Sequence, residues 1–575
     1  MLTNTYVPTG TKEYLNWQWQ DFSPHYQALT DIEITPSTID GWLKKWSDLL
    51  SVSDEIYTRL FVATTQYTSD EKVEAAFNDF IENTQPAIKK ADQVLKQKLL
   101  TSGITPKDFD LPLKKLRAET EIFCEENLPL LVEEQKLCNE YNRLIGGITF
   151  LWEGEERTAS QMFPLFFEPD RAVREKAWRI TFEGRYARRA ELNTLWGKLL
   201  RLRSQIAKNK GFDNYRSMMW KAKFRFDYTP EDCMTFHNAI QQVVVPAVQR
   251  INKRRATKLG ISSIRPWDNN VEVNGTEPLK PFTDVQEFLV KTRQILARVD
   301  ESFGDSFQEM IEGGLLDIPS RKNKAPGAYS LGYAVERKPF IFMSANGTHD
   351  DVQTMLHESG HAMHEFLRQQ LDYFHNRAEN YLPFEFAEVA SMSMELIASP
   401  FTVKQVGGFY DQQEYARSMI NNLEGIVKFW PYMALVDHFQ HWIYENETIS
   451  QDGEVCEKKW AELWDLYMPS IDYAGLDEAK KTYWHRQSHI FTSPLYYIEY
   501  GMAQLGAVQI WGNSLNDQNK AIANYIGALK LGSTVGLPQL FAAAGAEFKF
   551  DVPTLQRSVD LIERNLEALE NQLLR

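Results

Sequence analysis

The stretch Asp351-Val-Gln-Thr-Met-Leu-His-Glu-Ser-Gly-His-Ala-Met-His-Glu-Phe-Leu-Arg-Gln-Gln-Leu371 predicts a helix around which the rest of the chain is organised. Apolar residues recur in it at three- and four-residue spacing, which is typical of a helix with one buried face. Thr348 and Asp350 offer capping oxygens at its start. His357 and His361 are four residues apart, so their imidazoles should project side by side, one turn apart.

Two imidazoles placed in this way can ligate one tetrahedral zinc ion, and Glu358 between them can reach a metal-bound water. The pattern is short, however, and can occur by chance. The alternative is a helix whose histidines are ordinary surface or core residues that bind no metal. A third ligand and a donor for the transition state would favour zinc chemistry. The sequence offers candidates for both.

The third ligand is predicted on a second helix that starts after Leu382-Pro383. This helix is otherwise apolar or small, yet it carries Glu385, Glu388 and Glu395. Three acids are costly to bury on such a helix unless they are paired or bound to a metal. We therefore predict Glu388 as the ligand, with Glu385 and Glu395 orienting the ligand imidazoles. An exposed acidic stripe is the alternative.

The transition-state donors are predicted in the segment 484–501, where Pro494 can begin a helix. Tyr497 and Tyr500 would then share a face, although Tyr496 and Tyr500 would do so equally well. Phenol and imidazole groups can donate hydrogen bonds to the oxyanion that forms in peptide hydrolysis.

Most of the remaining sequence also predicts helices, after an irregular aromatic arm at 1–30. A small hairpin is predicted at 148–158. A second pair of short strands, Gly327–Ser330 and Pro339–Met343, directly precedes the His-Glu stretch. Such a pair is either a structural hairpin or an edge on which an extended peptide can add itself. The helices are predicted at 36–50, 54–66, 70–100, 113–143, 170–208, 229–260 and 282–313.

Composition limits the function classes. The 575 residues are 43% hydrophobic and 25% charged, as in an ordinary globular protein, and the net charge of −15 argues against nucleic acid or anionic membrane as a partner. No apolar run is long enough to span a membrane, and no secretory signal is apparent. The four cysteines are widely spaced and predicted to be reduced. A cytoplasmic protein is expected.

The stretch from Gly327 to Glu395, with Asn346-Gly-Thr, His357-Glu-Ser-Gly-His361 and Glu388-Val-Ala-Ser-Met-Ser-Met-Glu395, resembles the oligoendopeptidase F family of zinc metallopeptidases. That family is related to thimet oligopeptidase and neurolysin. Pro494-Leu-Tyr-Tyr-Ile-Glu-Tyr500 is similar to its C-terminal active-site segment. The resemblance covers about residues 110–560.

This resemblance implies a mostly α, two-lobed helical body that encloses a deep substrate channel, with a small β-hairpin beside the zinc helix. Residues 1–200 would form a helical domain in the channel wall, and 201–575 the catalytic domain. One Zn²⁺ ion would be bound by His357, His361 and Glu388. Glu358 would be the general base, and the contacts to substrate or transition state would come from His489, Tyr497 and Tyr500. His485 competes with His489, as Tyr496 does with Tyr497.

The predicted function is zinc-dependent endopeptidase activity on short unstructured peptides. A zinc carboxypeptidase or dipeptidase on a similar helical body is the alternative enzyme. A helical binding protein with a structural zinc is the alternative from another class. It would need a fourth ligand, for which His364 is a poorly placed choice. The sequence indicates neither the cleavage-site preference nor the oligomeric state.

Overall fold

The computed structural model describes residues 12–273 and 277–574, and most of these residues are helical, which confirms the predicted mostly α class. The described residues form two compact units. One combines the residues up to Glu121 with Leu279–Ser418 and Ala503–Phe548. The other combines Ile122–Pro278, Met419–Met502 and the residues from Lys549 onward. This partition differs from the predicted domains 1–200 and 201–575, which stay a prediction.

The first unit is built on a helical core with buried aromatic residues. Residues 1–11 of the expected irregular arm lie outside the described residues, but its second half is a helix, Trp19–Asp31. That helix buries Phe22, Tyr26 and Leu29, which are spaced as one helical stripe, so the expectation of an irregular arm was wrong there. The other α-helices that begin in this unit are Ile39–Gln66, Glu71–Asp79, Gln85–Ser102, Asp110–Ile122, Val285–Val299, Glu301–Glu312, His349–Arg368, Phe374–Arg377, Phe384–Ile397, Gln412–Glu445, Gln518–Leu529 and Leu537–Ala543.

The second unit is also helical and contains the predicted hairpin. Thr149–Trp152 pairs antiparallel with Glu155–Thr158, and Phe150 and Trp152 are buried. Gln412–Glu445, called the long helix below, has most of its length in this unit. The α-helices that begin here are Leu128–Gly146, Ala159–Met162, Arg171–Tyr186, Arg189–Asn209, Tyr215–Ala222, Pro230–Ala239, Val245–Leu259, Gly453–Tyr467, Asp477–Lys481, Ser488–Thr492, Tyr497–Asn516 and Val552–Leu573.

Several helices that the sequence predicts as continuous are interrupted. Two contain a π-helical turn, Phe80–Thr84 and Ile240–Val244, each directly before a helix with proline in its first turn. Proline has no N–H to donate to the preceding turn, which explains the local change of pitch. The predicted helix 282–313 is two helices, because Asp300 is extended and its carboxylate caps the second. None of the helices in the described residues is both long enough and apolar enough to cross a bilayer.

A three-stranded sheet lies in the first unit beside the predicted His-Glu helix. Its central strand, Lys338–Ala345, pairs antiparallel with Ala328–Tyr333, as the sequence predicts. It also pairs in parallel with Leu316–Pro319, a strand that the sequence analysis missed. Ala328–Tyr333 is therefore a terminal strand of the sheet and is called the edge strand below.

Candidate metal and catalytic site

The helix that carries the two histidines, His349–Arg368, is called the site helix. A capping box starts it: Thr348 Oγ1 accepts from the Asp351 amide at 3.3 Å, and Asp351 Oδ2 accepts from the Thr348 amide at 2.8 Å. Asp351 Oδ2 also accepts from the Asn346 amide, at 2.9 Å, which joins the end of the central strand to the helix. The predicted cap at Thr348 is confirmed, whereas the carboxylate of the capping box is that of Asp351 and not of Asp350, which the sequence also suggested. These contacts hold the helix two turns before His357, so the histidines lie on a well-anchored segment.

The second helix of the site, Phe384–Ile397, is called the acidic helix, and it packs directly against the site helix. The approach is close because Gly360 faces Ser391. A Cβ atom at position 360 would lie 2.6 Å from Ser391 Cα and 2.7 Å from the backbone oxygen of Ala390. No side chain larger than hydrogen fits there without movement of one helix. The glycine in the middle of the His-Glu pattern therefore sets the distance between the two helices.

The close packing brings the three predicted ligands together. Glu388 Oε2 lies 3.5 Å from His357 Nε2 and 3.7 Å from His361 Nε2. In a tetrahedral site with metal–ligand distances of about 2.0–2.2 Å, two ligand atoms are about 3.3–3.6 Å apart. The three side chains thus fit a zinc ion. The group contains no fourth histidine, cysteine or carboxylate among the described residues, which leaves one coordination position for water or substrate.

Neighbouring side chains orient two of these three groups. His357 Nδ1 lies 2.7 Å from Glu395 Oε1 and donates to it, which directs Nε2 toward Glu388. Ser391 Oγ lies 3.2 Å from Glu388 Oε2 and donates to it. The predicted orienting role thus has a geometric basis for Glu395. Glu385 is buried on the same helix and is not part of the ligand group.

The ionisation of the two histidines reflects an acidic environment. Burial opposes protonation of His357, but the hydrogen bond and charge of Glu395 and the charges of Glu388 and Glu358 outweigh it and raise its pKa to about 9. Burial and the charge of His357 lower the pKa of His361 well below its usual value. The acidic side chains therefore stabilise a positive charge in the site, and the imidazole of His361 is neutral and can act as a ligand. Both properties favour the binding of a cation.

Glu358 is buried beside the ligand group and only 6% exposed. Its Oε2 atom has no hydrogen-bond partner among the described residues. Burial raises the pKa of Glu358 to about 7, although the charge of His357 opposes the shift. A carboxyl group with a pKa near neutrality can both accept and return a proton, as a general base does.

The predicted donors cluster in the second unit. The ring centroid of His489 lies 5.0 Å from that of Tyr497 and 6.0 Å from that of Tyr500. Gln487 Nε2 donates to His489 Nδ1 at 2.7 Å, because its Oε1 accepts from Tyr432 at 2.8 Å. His489 must then carry its proton on Nε2. Burial and the charge of a nearby lysine lower its pKa, so this imidazole is a neutral hydrogen-bond donor.

The structure also gives the positions of the residues between which the sequence could not choose: Tyr496 or Tyr497, and His485 or His489. The helix starts at Tyr497 and not at Pro494, because Leu495 has a left-handed backbone with a φ of 60°. Tyr496 precedes the helix, although its ring still lies 5.9 Å from that of His489. His485 is placed elsewhere: its Nε2 atom contacts Asn193 Oδ1 at 2.7 Å. Of the two histidines, His489 is the one whose ring contacts these tyrosines in the described residues, and it is stacked on Tyr496 alone.

Comparisons relate this chain to known peptidases. The model of peptidase family M3 matches residues 165–559. The group B oligopeptidase PepB of Streptococcus agalactiae is 22% identical over 427 residues, which cover 73% of this chain and 67% of that protein. The oligoendopeptidase F homolog of Borreliella burgdorferi is 22% identical over 581 residues, which cover 96% and 93%.

The solved structure of PZ peptidase A with an inhibitor shares the helical fold, with a TM-score of 0.84 at 24% identity over 99% of each chain. The resemblance to oligoendopeptidase F that the motifs predict is confirmed. The family implies a metal ion, which agrees with the donor set of the ligand group. With a family match over more than half of its length, the chain belongs to peptidase family M3 and is a peptide-hydrolysing metallopeptidase.

Proposed function

We propose that this M3 peptidase is a zinc-dependent endopeptidase that hydrolyses short unstructured peptides. The observation that carries the proposal is the spacing of the ligand atoms of His357, His361 and Glu388 beside the buried carboxyl of Glu358. Nitrogen and oxygen donors with one open position are typical of catalytic zinc sites. A structural zinc would need a fourth ligand, and His364 is not part of this group.

In the proposed reaction, Glu358 accepts a proton from the attacking water and returns it to the leaving amine. A zinc ion bound by the three ligands would acidify the water and polarise the scissile carbonyl. Glu395 holds the imidazole of His357 in the tautomer that a ligand needs. The Nε2–H of His489 and the hydroxyls of Tyr497 and Tyr500 are the proposed donors to the oxyanion.

The edge strand is the proposed binding surface for the substrate backbone. The site helix packs against both this strand and the central strand, so an added peptide strand would run beside the ligand group. Pairing through main-chain hydrogen bonds requires an extended substrate but no particular side chain. This favours short flexible peptides, and it needs no charged peptide terminus.

The test combines metal analysis with hydrolysis of an internally quenched peptide that is blocked at both ends. The native protein should contain zinc and cut the blocked peptide, whereas an exopeptidase would leave it intact. Glu358→Gln keeps the shape but removes the base, so zinc should stay bound while kcat falls by about 10²–10⁴-fold. Near-normal turnover of that variant would refute the proposed role.

Glu388→Ala should lose zinc, because each ligand contributes to a site worth many kcal/mol of metal affinity. Ser393→Ala is the control on the same helix, since Ser393 is also buried there but lies outside the ligand group. Zinc should remain in the control. Full zinc occupancy in Glu388→Ala would show that another residue is the third ligand.

A further inference from the structure

A second cluster of metal-ligating side chains lies in the other compact unit. The helix Pro230–Ala239 supplies Cys233 and His237, and the long helix supplies Asp437 and His441. Each pair is four residues apart, so each helix presents its pair on one face. All four residues are at most 1% exposed to solvent. Such groups are rarely buried together without a partner of opposite charge or a metal.

The ligand atoms of three of these residues lie close together. A Cys233 sulfur, an Asp437 oxygen and a His441 nitrogen all lie within 4.8 Å of one another. His237 Nε2 donates to Asp437 Oδ2 at 2.9 Å, which holds the carboxylate in place. Asp437 Oδ1 and His441 Nε2 are buried without a hydrogen-bond partner among the described residues. The ion-pair partners of Asp437 in those residues are the two imidazoles, not a lysine or arginine.

We propose that Cys233, Asp437 and His441 form a second metal site, which binds a divalent cation of the zinc type and for which His237 positions Asp437. The donor set selects the ion class. Zinc and similar transition metals accept sulfur, nitrogen and oxygen together, whereas magnesium and calcium prefer oxygen alone. Because the cluster is buried between two helices and does not include the candidate catalytic ligands, its role would be structural: the ion joins the helix Pro230–Ala239 to the long helix.

One contact competes with metal binding. Arg216 Nη1 lies 3.0 Å from His441 Nδ1 and can only donate, so the His441 proton sits on Nε2, 3.3 Å from Asp437 Oδ2. A cation at Nε2 replaces that proton, and the ring then carries a proton on Nδ1. The same Nη1 atom of Arg216 also donates to Glu445 Oε1 at 2.6 Å, so Arg216 keeps an ion-pair partner when its contact with His441 is lost. A purely hydrogen-bonded network without metal is the outcome that would oppose the proposal.

Cobalt titration of the metal-free, full-length protein tests the site. A thiolate ligand to Co²⁺ produces a near-ultraviolet charge-transfer band, which the candidate catalytic site cannot produce because its ligands are histidine and glutamate. The band should saturate at one Co²⁺ ion per chain in the native protein. It should persist in Glu388→Ala, so this result does not depend on the proposed function. Absence of the band in the native protein would overturn the proposal.

Variants then locate the ligands. Cys233→Ser should abolish the band, and Asp437→Asn should weaken Co²⁺ binding at least tenfold, as loss of a charged ligand does. Cys456→Ser is the matched control, since Cys456 is also fully buried in this unit but its sulfur contacts the Ser450 backbone oxygen at 3.1 Å. A band that survives Cys233→Ser would overturn the assignment. If Cys233→Ser does not fold, as judged by circular dichroism, the native and Asp437→Asn titrations still decide.

Discussion

The spacing of the two site helices gives a sharp prediction for Gly360→Ala. The added Cβ would lie 2.6 Å from Ser391 Cα, whereas an ordinary contact begins at 3.4 Å, so the helices must separate by about 0.8 Å. The backbone of a packed helix cannot rotate away as a flexible side chain can. The displacement therefore reaches Glu388, which lies on the same helix as Ser391.

The magnitude follows from the ligand distances. Glu388 Oε2 now lies 3.5 Å from His357 Nε2 and 3.7 Å from His361 Nε2. If the helices separate by about 0.8 Å along these directions, the two distances increase to about 4.3 and 4.5 Å. Ligand atoms in a tetrahedral zinc site are about 3.3–3.6 Å apart, so the present distances are close to this range and the increased distances are well outside it. Zinc affinity should fall by about 10–100-fold, the loss typical when ligand orientation is disturbed. Overpacking should also cost about 1–3 kcal/mol of unfolding free energy, partly offset by about 1 kcal/mol from the better helix propensity of alanine.

Competition with a chromophoric chelator measures the zinc affinity. The value of kcat/KM at saturating zinc then measures how much activity is recovered when the site is filled. Gly425→Ala is the matched control, because Gly425 lies inside the long helix and an added Cβ would meet nothing within 4 Å. This control should keep its zinc affinity and gain about 0.4–1 kcal/mol of stability. Native zinc affinity in Gly360→Ala would refute the claim that this glycine sets the ligand geometry.

Three further predictions concern the groups around the ligands. Glu395→Gln removes the negative charge that accepts the hydrogen bond from His357 Nδ1, so zinc affinity in the chelator assay should fall by about 10–100-fold. Unchanged affinity would show that Glu395 does not orient His357. Tyr497→Phe or Tyr500→Phe should lower kcat by about 10²–10³-fold with little change in KM, whereas Tyr496→Phe should have a small effect. If Tyr496→Phe is the impaired variant instead, the hydrogen-bond donor is Tyr496. Burial raises the pKa of Glu358 from 4.5 to about 7, and the carboxylate is the active form, so kcat/KM should fall with decreasing pH around a midpoint above 4.5. A midpoint at or below 4.5 in the pH–rate profile would contradict that shift.

Local sequence was sufficient wherever the interacting groups are within one or two helical turns. The cap at Thr348, the adjacency of His357 and His361, and the position of Glu358 between them follow from local sequence and helix geometry alone. The same reasoning placed most of the helices and both hairpins. It failed at the π turns before proline and at Asp300, where a single residue changes the backbone while the apolar periodicity continues on both sides.

The sequence by itself determined the candidate chemistry of the site: a helix with two imidazoles and a carboxyl group, and an acidic helix with a candidate third ligand. Only the tertiary structure decided how close these groups lie to one another, because the distance between helices depends on side-chain packing that periodicity does not report. Gly360 allows the close approach that brings Glu388 to ligand distance and Glu395 to His357. The Cys233–Asp437 cluster joins residues 204 positions apart on two helices, and no local pattern could have indicated that contact.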